Sequence, residues 1–180
     1  DYWLQYAQLL HEADEAERAL EAVDSCLNLD RQVGDAWALR AKLLSTKSGR
    51  EKEALKAATH AVALDCGGAE LIVLKADLLT ETGDVMQAES SLEKAIEKYP
   101  MDAELRSIVA TRRIAEGRIE VAQALLDNTP ATIDHPELHI VEGRLHLARA
   151  DRLRDGTGET DQILLGSAIK SFEAALELNR

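Results

Sequence analysis

The sequence predicts an all-α solenoid of antiparallel helix pairs, and three observations lead there. Residues 34–44 (GDAWALRAKLL) return as residues 68–79 (GAELIVLKADLL), each followed by a glycine turn and a second alanine-marked segment. Self-similarity at this period is the signature of a stacked helical repeat. Ala fills 28 positions and Leu 27, whereas Phe, Trp and Tyr together make up 3%. Small side chains let helices approach closely, and both residues are strong helix formers. Finally, there are 3 prolines in 180 residues and no alternating β-branched runs that would compete as strands.

The elements follow in order from that register. The first unit, about 1–33, begins inside its first helix and places Trp3, Ala7 and Leu10 there, with Ala19, Val23 and Cys26 on its second helix. A second unit, 34–68, repeats these places with Trp37, Ala41 and Leu44, then Ala54, Ala58 and Ala61, and has one extra residue in its 45–50 turn. The third, 69–102, is the clearest: Ile72, Ala76 and Leu79, a Gly83-Asp84 turn, then Ala88, Leu92, Ala95 and Pro100. Glycine suits such a turn because it takes the left-handed conformation that ends a helix.

With these residues in place the chain resembles the tetratricopeptide repeat family, whose helix pair reads W-x2-L-G-x2-Y, then A-x3-F-x2-A, then P. That resemblance covers the whole chain and implies a right-handed superhelical α-solenoid acting as a protein-interaction scaffold.

Two units depart from the pattern. In the fourth, 103–135, Ala110, Gly117, Ala122 and Leu126 keep register, yet Arg106 and Arg113 occupy the Trp and Tyr places and Pro130 arrives early. Proline cannot continue a helix, so the second helix should stop near Asp127 or Asn128, with a bend or weakened stacking. The fifth, 136–180, restarts at Pro136 with Asp134 or His135 as cap. Gly143 takes its small-residue place, and Ala168, Phe172 and Ala175 mark its second helix, expected over 163–178. Ala76 to Ala88 spans 12 positions and Gly143 to Ala168 spans 25, so this unit carries 13 extra residues. The expectation is a first helix running to about Leu153 and an inserted loop over 154–162, either a surface excursion or a partner-contacting lid.

The family resemblance further implies that residues two, five, nine and twelve of each unit face a concave groove. These are Asp1, Leu4, Gln8 and His11; Asp35, Ala38, Lys42 and Ser45; Glu70, Val73, Asp77 and Thr80; Glu104, Ser107, Thr111 and Ile114; Glu137, Ile140, Arg144 and Leu147. The resulting ladder combines an acidic edge, a partly apolar strip and isolated cations at Lys42 and Arg144. Asp35, Glu70, Glu104 and Glu137 also suit helix N-termini through the macrodipole. The family's carboxylate clamp needs cations at places held here by Leu4, Gln8, Leu39, Glu70 and Leu74, so an acidic chaperone tail is rejected. An extended or helical peptide with apolar anchors is expected instead.

Charge narrows the partner. With 33 acidic against 21 basic residues the net charge is −12, and no basic cluster stands out. Phosphate neutralisation needs concentrated Lys and Arg, so nucleic acid and anionic membranes are disfavoured and a basic or apolar protein or peptide is favoured. Apolar runs such as residues 71–74 fall far below the roughly 18 to 20 residues that span a bilayer. Cys26 and Cys66 are expected as two free thiols, which leans toward a cytoplasmic over a periplasmic setting. Opening on Asp1, the chain reads as a fragment of a longer protein. Its last helix spreads Ile163, Leu164, Leu165, Ile169, Phe172, Leu176 and Leu178 over more than one face, so further repeats or self-association through that helix are expected.

No catalytic or cofactor site is assigned. His11-Glu12 begins an H-E-x-x-H motif that fails at Glu15, and no phosphate loop or nucleophile elbow occurs. His135, His139, Glu142 and His146 share helical spacing, but Pro136 puts His135 at a cap, and the expected role is capping and packing, not metal binding. Two alternatives to the scaffold remain: a structural spacer in a multiprotein or cell-envelope assembly, and an accessory domain of an enzyme.

Overall fold

The computed structural model describes residues 2–158 and 160–179. Among them are ten helices: α1 (Tyr2–Glu12), α2 (Ala16–Leu29), α3 (Gly34–Ser45), α4 (Glu51–Ala63), α5 (Gly68–Glu81), α6 (Val85–Lys98), α7 (Ala103–Ala115), α8 (Ile119–Asp127), α9 (Pro136–Thr157) and α10 (Gln162–Leu178). They group into two compact units, Asp1–Ala95 and Ile96–Arg180, the division falling within α6.

In the first unit each helix packs on the next through α5, and α3 also touches α1 and α5. This is the neighbour pattern of stacked helix pairs. Its core is alanine and leucine: Ala19, Ala41, Ala54, Ala57, Ala58 and Ala61 are fully buried, with Leu43, Leu44, Leu71 and Leu78 filling the spaces between helices. Alanine at a closest approach brings backbones together without stranding a polar group. Gly34 goes further, since a Cβ there would lie 2.3 Å from Cys66 Sγ. Helix ends obey the same economy. The α5–α6 turn passes through Gly83 at φ +92°, while α1 and α4 end at Asp14 (φ 60°) and Asp65 (φ 58°), a short polar residue standing in for glycine.

The second unit packs α7 on α8 and α9, α8 on α9, and α9 most extensively on α10. Its core joins Ala110, Ile119, Ala122, Leu126, Leu138, Val141 and Leu145. Helix α8 stops at Asp127, ahead of Pro130. Two charged residues lie inside: Arg106 is 5% exposed and Arg113 is 3% exposed. The Arg106 guanidinium donates to the carbonyls of Pro100 (3.0 Å) and Leu125 (3.3 Å). Arg113 pairs with Glu116 at 3.2 Å. Burial lowers the Arg106 pKa, as expected of a cation held by neutral carbonyls.

Part of the segment expected as a loop in the last unit builds helix instead. Residues 154–157, expected in a loop, continue α9, and Gln162 opens α10. The reason lies in the choice between two glycines. Gly156 stays helical, whereas Gly158 takes φ +74° and its N–H closes on Arg154 O at 2.7 Å. Asp161 then caps α10, accepting from the N–H groups of Ile163 (2.9 Å) and Leu164 (3.1 Å). Continuing the helix through Thr157 gives these backbone groups intrahelical partners that a loop would leave to water. Gly143 sits where α9 and α10 approach closest, and a Cβ there would meet the Phe172 ring at 2.7 Å.

Candidate functional site

Successive first helices bring part of the predicted ladder together. In the first unit Gln8 and His11 of α1, Asp35 of α3, and Glu70 and Asp77 of α5 are exposed, and Leu4 and Val73 are half-buried. Lys42 of α3 reaches Glu70 of α5, Nζ to Oε2 at 2.8 Å. These two ladder positions therefore share one surface, and the contact neutralises a carboxylate the sequence had assigned to an acidic edge. Thr80 Oγ1 donates back to Ala76 O at 2.9 Å, so its hydroxyl serves its own helix. Asp1 lies outside the described residues.

In the second unit Glu104, Glu137 and Arg144 are exposed, Thr111, Ile114 and Ile140 are half-buried, and Leu147 is 38% exposed. Two ladder positions do not reach solvent. Ala38 is 7% exposed and belongs to the first core; Ser107 is 4% exposed and donates its hydroxyl to Glu104 O at 2.8 Å. Both are small residues where neighbouring helices crowd, so packing claims them before a partner could.

Some side chains stand apart from their motif places. Trp3, in the place of a core Trp, is 42% exposed and meets Tyr6 edge to face at 6.4 Å. Arg18 donates to the Tyr6 hydroxyl at 2.8 Å, and with Tyr2 and Leu9 these residues leave an aromatic strip on α1. The sequence-based expectations did not single it out, although residues 2, 6 and 9 share a helical face, the periodic signal that carries it. Trp37 keeps its place: the indole N–H donates to Arg31 O at 2.9 Å and the ring stacks on His60 at 4.6 Å.

The histidines of the last unit separate into distinct roles. His135 Nδ1 accepts from the Glu137 N–H at 3.3 Å, capping α9. His139 lies between two carboxylates, Nε2 to Asp134 at 2.7 Å and Nδ1 to Glu142 at 3.2 Å. Burial pulls its pKa down, but the bonds to Asp134 and Glu142 outweigh that and leave it raised. His146 Nδ1 is buried without a partner. No cluster able to hold a metal ion occurs among the described residues. Cys26 is buried and Cys66 half-buried, and neither forms a disulfide. No described helix is long and apolar enough to cross a membrane.

Comparison with known proteins places the fold. No family model and no curated protein matches the sequence. Among solved structures, YrrB, described as a TPR protein with an unusual peptide-binding site, is 21% identical at a TM-score of 0.62, covering 98% of this chain and 90% of its own. A MamA structure is 19% identical at 0.66, with coverage of 96% and 94%. The human IFIT1 dimer with m7Gppp-AAAA matches at 0.60 and 21% identity, over 90% of this chain and 39% of that one. The fold is that of tetratricopeptide repeat proteins.

Proposed function

We propose that this chain is a non-catalytic scaffold that receives a protein or peptide segment on the surface formed by its first helices. The observation that carries the reading is the Lys42 to Glu70 contact, which joins two of the expected ladder positions, one on α3 and one on α5. The same helices also carry exposed carboxylates at Asp35 and Asp77 and a half-buried Val73, and α1 carries the half-buried Leu4. A segment with basic side chains and apolar anchors suits this mixture. The fold by itself is compatible with nucleic acid, as the IFIT1 complex illustrates. The net charge of −12 argues against it here.

The test uses peptides of matched length carrying Lys and Leu, or Glu and Leu, titrated against the chain and an Asp35→Lys, Asp77→Lys variant. Basic peptides should bind the parent more tightly, and the variant should reverse that preference with little change in its melt. Equal binding of both peptides by both proteins would overturn the reading.

A second reading, assembly with other copies or repeats, is favoured by apolar side chains exposed on more than one face of α10. Ile163 is 81% exposed, Leu176 65% and Ile169 58%. Sedimentation over a dilution series should show association that Ile163→Glu with Leu176→Glu abolishes. A monomer at every concentration would remove this reading.

A further inference from the structure

We infer that Asp134, His139 and Glu142 form a pH-dependent clasp, which ties the α8–α9 linker to α9 while the imidazole is protonated and loosens when the ring becomes neutral. The geometry leads to it. A neutral imidazole has one N–H to donate, yet both ring nitrogens here face carboxylate oxygens, at 2.7 Å and 3.2 Å. Only the imidazolium can donate to both. Loss of its proton leaves one nitrogen lone pair against a carboxylate and turns an attraction into a repulsion.

The two carboxylates flank the start of α9: Asp134 precedes the cap residue His135 and Glu142 lies within the helix, so the ring joins the last linker residues to the first turns of α9. Glu142 sits one turn along α9 from His139, whereas Asp134 lies in the linker that follows Pro130. That linker has few other anchors: its backbone makes a turn from Ile133 N–H to Pro130 O at 2.9 Å, and the Ile133 side chain packs against the core. A concavity opens beside it, where Leu126, Ile133 and Leu138 meet His139 and Glu142. Releasing Asp134 frees the linker wall of that concavity.

No group of α7, α8 or α10 competes for the ring among the described residues; Asp134 and Glu142 are the charges that bear on it. Its side chain is 26% exposed, so the ring is partly shielded yet able to exchange its proton with solvent. The sign follows from a pKa raised in the folded state. The clasp contributes fully below the unfolded histidine value of about 6.5 and is lost as pH rises through the higher folded value. This device is independent of the scaffold reading.

Proton NMR of the ring Cε1–H signals across pH 5 to 9, assigned with His139→Gln, tests the first half. The His139 midpoint should lie above about 6.5 and fall in Asp134→Asn and again in Asp134→Asn with Glu142→Gln. Hydrogen exchange of amides 131–134, corrected for intrinsic base catalysis, tests the second. Protection should drop with rising pH in the parent, by up to about tenfold for each unit by which the folded midpoint exceeds the unfolded one. In Asp134→Asn, whose substituted side chain is largely exposed, the protection should be low and flat with pH. A parent midpoint at or below 6.5, or linker protection with the same pH profile in parent and Asp134→Asn, would overturn the inference.

Discussion

The α3–α4 pair of the first unit and the α7–α8 pair of the second solve the same packing problem with opposite materials. Between α3 and α4 the contact is made by Ala41, Ala54, Ala57 and Ala58, all fully buried, and by Leu44. Nothing there has a hydrogen bond to lose. In the second unit Arg106 and Arg113 take places where an apolar side chain would be expected, and each guanidinium must find acceptors inside the protein. Apolar contacts tolerate small shifts because they are non-directional; a buried cation does not, since a misplaced carbonyl leaves it unsatisfied. The second unit thus trades robustness for a defined geometry at the end of α8.

Substitutions should separate the two designs, beginning with the largest effect. Leu44→Ala removes a fully buried side chain and should cost about 2 to 5 kcal/mol in denaturant unfolding. Arg106→Ala should cost about 2 to 4 kcal/mol, because it opens a cavity and removes the guanidinium donors to the Pro100 and Leu125 carbonyls, the latter keeping only the long Thr129 hydroxyl contact. Arg106→Met keeps the volume and removes a charge that costs energy to bury, so it should recover most of that loss. If Met proves as damaging as Ala, the hydrogen bonds matter more than volume, and the contrast between units deepens.

Close approaches come next. Gly143→Ala drives a Cβ into the Phe172 ring and should cost about 1 to 3 kcal/mol by thermal melt. Gly34→Ala meets Cys66, a smaller side chain, and Cys66→Ala should partly rescue it. Equal losses without rescue would show that backbone and not side-chain crowding limits both sites. Asp161→Ala deletes a cap with two N–H partners and should cost about 1 kcal/mol, read as faster exchange at the start of α10. Smallest of all, Lys42→Met should change stability by no more than about 1 kcal/mol, because the Glu70 pair is exposed. Its effect belongs in peptide binding.

Much of the fold was legible because the repeat is written in local signals. Ala88, Leu92 and Ala95 favour helix, Gly83 permits the left-handed turn, and Pro130 and Pro136 mark where helices stop or start, so helix number, order and most boundaries followed from them. Of the 154–162 segment, residues 154–157 are helical where a loop was expected, because the sequence offers two glycines and Gly158, not Gly156, takes the left-handed turn. The ladder was legible as a face but not as a surface. Spacing could not show that Ala38 and Ser107 are claimed by packing, or that Lys42 lies within bonding distance of Glu70.

By itself, then, the sequence determined the helical repeat, its small-residue contacts and its acidic character, since these rest on period, composition and charge. Tertiary structure decided which charges are spent internally and which face outward. Arg106 and Arg113 went inside, and His139 came to sit between Asp134 and Glu142. Those outcomes depend on distances between residues remote in the chain or on side-chain directions that spacing leaves open. An ionic or hydrogen-bonded contact is decided over about an ångström, whereas a hydrophobic period is already fixed by the turn of the helix.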